Sequence, residues 1–447
     1  MKKLPLIIAM ATPLIIGSWV YYNHNNKSAL PVSKQDKIAA ETGGKSPGPM
    51  PTEPVQFNNI AGEFVKMALA FGAHDENYVD AYTGVKSLQT YVEKHPQTLA
   101  QIKAKAENLQ TRLSKVTPPE GEAARLKFLK GDITALQTRL AMLEGKRFSF
   151  DEETLRLYGS VAPRHDMAFF AAARAELAAA QAGGKLDLIV PPQKVKAVMS
   201  AAIAECRKRT LAHYDLPAGE SFELEFVTGK PWSAYNWYKG DYKSVIQVNM
   251  DQPMGIGKAL DLGCHEGYPG HHTYNVMAER DRIKAKGWIE NTVVPLYSPS
   301  GPLMEGSGNY GIKLAFPGDE KMAFERDVLY PLAGLNPKHA QQSQRVEKAL
   351  AGLSHVSIHA AREYLDGRMS RDEAVAFLVK YYDDTPKRAQ QRVDFYDTYR
   401  GYVVNYALGQ DVIGDYVGRR VAQGDDPWTA FRYVLDSPIT LEDLTEK

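Results

Sequence analysis

Cysteine is nearly absent from this chain: Cys206 and Cys264 are the only two in 447 residues. Two cysteines make no disulfide framework, so the fold is expected to rest on its core and not on disulfide staples. Net charge is equally small. The chain carries 54 Lys and Arg against 53 Asp and Glu, a balance of +1. It shows no basic run and no ladder of aromatic and basic residues, which removes the case for nucleic acid as a partner. A phosphate-cradling loop is also missing, because Gly255-x-Gly257 is too short to form one. What is present, 44% hydrophobic and 24% charged residues, is ordinary globular composition. The length permits a large core, in two domains or one elaborate helical body.

The N-terminus has a character of its own. Lys2 and Lys3 precede an apolar stretch from Leu4 to Tyr22, interrupted by Pro13 and closed by Trp19, Tyr21 and Tyr22. These 19 residues reach the length that spans ~30 Å of hydrocarbon. Positive charge ahead of the stretch favours an N-terminus inside and a body outside. No small-residue cleavage site and no lipobox cysteine follows it. Residues 1–22 are therefore read as a membrane anchor or, if cleaved, a secretory signal. The body is expected to be exported, held at the bacterial inner membrane facing the periplasm, or free there. Residues 23–56, rich in Asn, Ser, Lys, Gly and Pro, read as a disordered linker. Residues 57–447 then carry the function, and membrane contact is expected through the N-terminal segment only.

The body reads as mainly α. Apolar residues recur at three- and four-residue spacing over Ala61–Ala73, Tyr78–Lys94, Leu99–Val116, Ala123–Glu144 and Met167–Ala182, the last closed by Gly183-Gly184. Pro191-Pro192 opens a further helix to about Tyr214, and Ser370-x-x-Glu373 is a capping box at another helix start. Between 220 and 250 the period changes to two, which predicts short strands at Phe222–Phe226 and Ser244–Asn249. The second is a candidate edge strand for pairing with an extended peptide. Tyr235, Trp237, Tyr238 and Tyr242 make an aromatic loop that lines a pocket or packs on the core. The architecture expected is a large helical body with a central cleft and a small β hairpin or sheet beside a metal-binding helix, zincin-like.

The densest chemistry lies at 264–272, Cys-His-Glu-Gly-Tyr-Pro-Gly-His-His. His265-Glu266 followed by a further histidine is the arrangement of a zinc hydrolase, with imidazoles holding the ion and the carboxylate taking a proton from water. The usual spacing places the histidines four apart on one helix face. Here the next ones fall six and seven residues on, and seven residues of helix advance ~10.5 Å, too far for one ion. Pro269-Gly270 resolves this if the helix bulges there, which brings His271, or alternatively His272, beside His265. The plain alternative is a helix broken at Pro-Gly whose histidines merely pack or cap. Cys264 reads as a small buried residue behind the site. Glu305, 39 residues after Glu266, is the candidate third ligand, although its place near a helix start suits an ordinary first-turn glutamate as well.

These residues resemble a bacterial family, the domain of unknown function 885, marked by H-E-A-x-P-G-H-H and, some tens of residues later, E-G-W-A. The first mark appears as His265-Glu266-Gly267-Tyr268-Pro269-Gly270-His271-His272, with glycine in place of alanine. The second appears as Glu305-Gly306-Ser307-Gly308, where Ser307 replaces tryptophan and the pocket wall is expected to differ. The resemblance extends over about residues 57–447, including Leu157-Tyr158-Gly159, the Tyr238–Asn249 approach and Tyr406-x-x-Gly409. It implies a mainly helical fold with a glutamate-zincin-like site, Glu305 as a ligand, and peptidase activity of loosely defined substrate.

The expectation that follows is a zinc-dependent hydrolase of peptide or peptide-like amide bonds. His265, His271 and Glu305 hold Zn²⁺ and Glu266 is the general base. Tyr406 and His359 are candidates to stabilise the oxyanion. Asp261 and Asn309 are candidate supports for the ligands. His355 and His359, four apart, are weighed as a second metal site without a carboxylate to strengthen it. Two other readings share these residues: an envelope binding protein with a structural or vestigial metal, and a zinc hydrolase of non-peptide amides or esters.

Overall fold

The computed structural model describes residues 53–445 apart from Lys185, Pro231 and Gln252. The expected anchor, 1–22, and most of the linker lie outside these residues. Among the described residues, no helix is long and apolar enough to cross a membrane.

The body is mainly helical, as expected. Its first part comprises α1 (Glu53–Gly72), a short strand β1 (Val79–Tyr82), α2 (Lys86–Lys94), α3 (Leu99–Leu113), α4 (Ala123–Leu143), α5 (Phe150–Tyr158), α6 (Met167–Ala180) and α7 (Pro192–Leu211). Strands β2 (Ser221–Val227), β3 (Ala234–Gly240) and β4 (Lys243–Asn249) follow, then α8 (Ile256–Leu262), α9 (His271–Ala278), β5 (Val293–Pro295) and α10 (Ser300–Ala315). The last part holds α11 (Glu320–Phe324), α12 (Tyr330–Ala333), α13 (Ala340–Ala351), α14 (Ser354–Leu365), α15 (Arg371–Tyr381), α16 (Pro386–Tyr399), α17 (Val404–Ala422), α18 (Pro427–Asp436) and α19 (Leu441–Thr445). The capping box at Ser370 and Glu373 opens α15 with both reciprocal hydrogen bonds in place. One apolar core runs through the molecule, from Phe57 and Phe64 through Leu136 and Ile203 to Leu408 and Leu435, all at most 5% exposed.

Three local expectations are corrected. The helix expected over Tyr78–Lys94 is a strand, β1, followed by the shorter α2, because β1 finds an antiparallel partner in β5. Pairing across some 200 residues overrides the local period, as propensity arguments allow. Second, α1 begins at Glu53, inside the stretch read as linker.

Third, the sheet has three strands in the order β2-β4-β3, with β4 parallel to β2 and antiparallel to β3. Residues 245–249, expected at an edge, therefore lie in the central strand. Ser244, Ile246 and Val248 of β4 point into the core and alternate with half-buried neighbours. The edge facing the site is β3, within the aromatic segment read as a loop. Its turn into β4 is made by Asp241 and Tyr242, both at positive φ (51° and 62°). That is the geometry of a tight hairpin turn. The carboxylate of Glu279 holds this unusual pair by accepting from the backbone N–H of Asp241 (3.1 Å) and of Tyr242 (3.3 Å).

Helices α10 and α17 touch backbone to backbone. A Cβ on Gly306 would lie 2.3 Å from the carbonyl carbon of Gly409, and one on Gly409 would lie 2.0 Å from the Pro302 oxygen. Glycine at both places is what lets these helices close, and the closure sets Glu305 against the α16–α17 junction.

Candidate metal centre

The segment after α8 carries the chemistry. Helix α8 widens into a π-turn over Gly263–Gly267, and a new helix, α9, starts at His271. Such local widening lets an inserted residue change the direction of a side chain. The chain folds back on itself between the two helices. Gly270 N–H donates to the Cys264 carbonyl (3.1 Å), and a Cβ on Gly270 would lie 1.9 Å from the His265 oxygen. The Pro269-Gly270 interruption thus brings the His265 and His271 rings to a centroid distance of 4.5 Å, nearly perpendicular.

Glu305, from the middle of α10, completes a group of three. Its Oε2 lies 3.4 Å from Nε2 of His265 and 3.9 Å from Nε2 of His271. The ligand atoms of the three residues all fall within 4.8 Å of one another, the one such group of three or more among the described residues. Zinc held tetrahedrally at ~2.0–2.1 Å separates its ligand atoms by roughly 3.3 Å; the 3.4 Å separation matches that value and the 3.9 Å separation is wider. His265 Nε2, Glu305 Oε2 and Glu266 Oε2 are buried atoms without a hydrogen-bond partner. Buried polar atoms are rarely left so. The residues present fit a divalent metal ion.

Two of the three donors, those of His265 and Glu305, are aimed by a neighbour. Nδ1 of His265 donates to Oδ1 of Asn309 at 3.1 Å, which leaves Nε2 as the lone-pair atom, and Asn309 donates in turn to the Tyr406 carbonyl at 3.3 Å. The hydroxyl of Tyr402 donates to Oε1 of Glu305 at 2.8 Å and leaves Oε2 facing the imidazoles. Gly308 clears room for the first ligand, since a Cβ there would stand 2.6 Å from Nδ1 of His265. The carbonyl of Glu266 accepts from Nδ2 of Asn236, on β3, at 2.6 Å. His272 points elsewhere: Nδ1 meets Oγ of Ser244 (2.7 Å) and Nε2 meets Oε2 of Glu220 (2.9 Å). It is His271, not His272, that stands with His265 and Glu305.

The electrostatics express an uncompensated site. Burial, followed by the neighbouring Glu305, raises Glu266 to about 8. Burial also raises Glu305. Burial, then the charge of Lys258, lowers His265 to about 3, and burial with His265 alongside lowers His271 to about 4. Two carboxyls and two neutral imidazoles, all largely buried, form a place that a cation would stabilise.

The site opens on a cleft of about 680 Å³, walled by β1, β3, α9 and α10 and including Asp80, Tyr235, Trp237, Glu266, His271 and Tyr402. Tyr235 and Trp237, read as pocket or packing residues, stand on this wall, as does Tyr238. Asp80 accepts from the Tyr235 hydroxyl at 2.7 Å, and burial raises its carboxyl to about 6.

Other candidates are placed away from the cleft. His359, on α14, packs between Phe170 and Phe377 at centroid distances of 4.9 and 5.1 Å. Tyr406 lines a separate cavity behind Asn309, while Tyr402, four residues earlier, reaches the cleft. His355 pairs with Asp411 at 2.9 Å. Asp261 pairs with Lys321 at 3.5 Å, which leaves Asn309 as the support of His265. Ser307 is fully buried, donates to the Met304 carbonyl at 3.0 Å, and does not line the cleft.

The cysteines correct the reading of an unstapled fold. Cys206 of α7 and Cys264 form a disulfide across 58 residues of sequence. Spacing gave no sign of it, because the pair meets only once α7 packs beneath the π-turn. The bond ties the residue before His265 to the core helix.

Sequence reasoning passed over Tyr402, Asn236 and Asp80. The local signal for Tyr402 was its position one helical turn before Tyr406. Asn236 and Asp80 became visible only with β3 and β1.

Comparison with known proteins gives the fold a relative but not a family. No protein-family model matches the chain, and no curated protein is similar to it in sequence. In structure the chain is similar to a candidate lipoprotein from Colwellia psychrerythraea, at 12% identity and a TM-score of 0.51, over 89% of this chain and 76% of that one. Lower scores join it to a candidate lipoprotein of unknown function from Shewanella oneidensis (12% identity, TM-score 0.43, 89% and 73% covered). An M32 carboxypeptidase from Deinococcus radiodurans R1 stands alongside (12% identity, TM-score 0.46, 85% and 89% covered). The first likeness concerns the fold alone, and the scores of the other two are too low to carry an argument.

Proposed function

We propose that this chain is a zinc-dependent hydrolase of peptide or peptide-like amide bonds. The observation that carries the reading is the buried His265–His271–Glu305 group with Glu266 alongside, opening on a cleft whose wall is an edge strand. His265 Nε2, His271 Nε2 and Glu305 Oε2 are the atoms that would hold the ion. Two imidazoles and one carboxylate are a donor set of catalytic zinc. Zinc bound there supplies Lewis-acid polarisation of a carbonyl and of water.

The chain's own residues divide the remaining work. Glu266 Oε2, buried and unpartnered beside the three donors, takes the proton of the attacking water and returns it to the departing amine. Asn236 fixes the backbone of that carboxylate, and Tyr402 and Asn309 hold Glu305 and His265 in register. Strand β3 has one side paired with β4 and lines the cleft from Ala234 to Lys239. An extended peptide laid along that edge would be held by main-chain hydrogen bonds, with Tyr235 and Trp237 beside its side chains. Export is supported by the Cys206–Cys264 disulfide, since such bonds persist in oxidising compartments.

The test is turnover of a peptide library by the zinc-loaded protein and by Glu266→Gln. Glu266→Gln should retain metal and lose at least ~10²-fold in rate, the share of a general base. Undiminished turnover would end the assignment.

A further inference from the structure

Behind the metal centre, between α10, α13, α16 and α17, lies a second cavity of about 330 Å³. It is distinct from the cleft: the two share no lining residue. Its volume is at the lower end of the range for small-molecule sites. Three charged side chains line it. Arg392 is only 3% exposed, and its Nη2 has no hydrogen-bond partner. Its Nε is taken by Asp384, and its guanidinium lies 3.9 Å from the centroid of the Tyr382 ring. Lys313 and Asp411, by contrast, are exposed and stand where the cavity opens, with Asp411 also paired to His355. Leu350, Phe395 and Val403 give the cavity apolar wall.

A buried guanidinium with an unsatisfied N–H wants an anionic partner, and a carboxylate suits its planar fork. The apolar wall wants a hydrocarbon or aromatic body, and Asp411 offers an acceptor for a cation at the mouth. One small molecule meets all three requirements. We propose that this cavity binds a free amino acid with an apolar side chain, its carboxylate toward Arg392 and its ammonium toward Asp411. The occupant would also touch Asn309, which lines the cavity and orients His265.

The probe is L-phenylalanine, titrated calorimetrically into the full chain carrying its metal. Binding of one molecule is expected, unchanged in His265→Ala, which separates this cavity from the metal cleft. Ala351→Trp, at an exposed lining position, should weaken binding at least tenfold by filling the space without disturbing the core. Arg392→Gln should weaken it as much, and Ala351→Trp decides the matter if that variant does not fold. Affinity weaker than ~10 mM, binding lost in His265→Ala, or binding indifferent to Ala351→Trp would overturn the site. Equal affinity for 3-phenylpropionate, which lacks the ammonium, would overturn the zwitterion.

Discussion

Replacing Gly308 with alanine tests how the first ligand is seated. Two effects oppose each other. Gly308 is inside α10, where alanine is favoured over glycine by about 1 kcal/mol. Its new Cβ would meet the imidazole of His265 at 2.6 Å from Nδ1, 2.7 Å from Cε1 and 3.0 Å from Cγ. Carbon contacts normally settle at about 3.5–4.0 Å, so the overlap approaches 1 Å and something must move. The ring is fully buried, held at Nδ1 by Asn309, and follows a residue bonded to Cys206. Helix α10 cannot retreat easily either, because Gly306 rests on Gly409. Overpacking of this kind costs about 1–3 kcal/mol, which offsets or exceeds the propensity gain. The displaced imidazole should weaken zinc by about 10–100-fold, the usual effect of disturbing a ligand's support. Gly418→Ala is the control: it sits in α17 with nothing within 4 Å of the added carbon and should gain about 0.4–1 kcal/mol. Denaturant unfolding gives the stabilities and competition with a chromophoric chelator gives the zinc affinities. If Gly308→Ala binds zinc like the wild type and is stabilised as much as Gly418→Ala, the packing argument is refuted.

Two further outcomes follow from the same geometry. Tyr402→Phe leaves Oε1 of Glu305 buried without its donor, a loss of about 1–3 kcal/mol in the metal-free protein, and should lower zinc affinity about tenfold; a larger fall in Tyr406→Phe would contradict it. Burial pushes the Glu220 carboxyl up, but hydrogen bonds from His272, Tyr268 and Arg207 outweigh this and bring it to about 2. Its native pKa is thus depressed, so its stabilisation is present above about pH 4.5 and is lost as pH falls toward 2. Urea midpoints across that window should fall more steeply in the wild type than in Glu220→Gln, and parallel curves would exclude the effect.

The helical class was legible because apolar periodicity and caps are local signals: α3, α4, α6, α7 and α15 start within a residue or two of where spacing and capping placed them. What was lost depended on distant partners. β1 reads as helix until β5 pairs with it, and β3 reads as loop because Asp241-Tyr242 is no usual hairpin turn until Glu279 arrives. At the site, Pro269-Gly270 marked an interruption, but the helix does not bulge there: it widens earlier, at Gly263–Gly267, breaks, and restarts at His271. The choice between adjacent histidines waited on Ser244 and Glu220, which hold His272 away. Tyr402, and not Tyr406, lines the cleft because of the short 3₁₀ turn at Arg400–Val403, whose phase the sequence does not announce. The disulfide was hidden for the same reason, since only the packing of α7 brings Cys206 to Cys264.

The central claim is that His265, His271 and Glu305 together hold one metal ion. Elemental analysis of the purified protein and of four variants, His265→Ala, His271→Ala, Glu305→Ala and His272→Ala, tests it most directly. The account predicts one zinc per chain in the wild type and in His272→Ala, and loss in the other three. A wild type that takes no metal when zinc is offered, or zinc lost in His272→Ala but kept in His271→Ala, would contradict it.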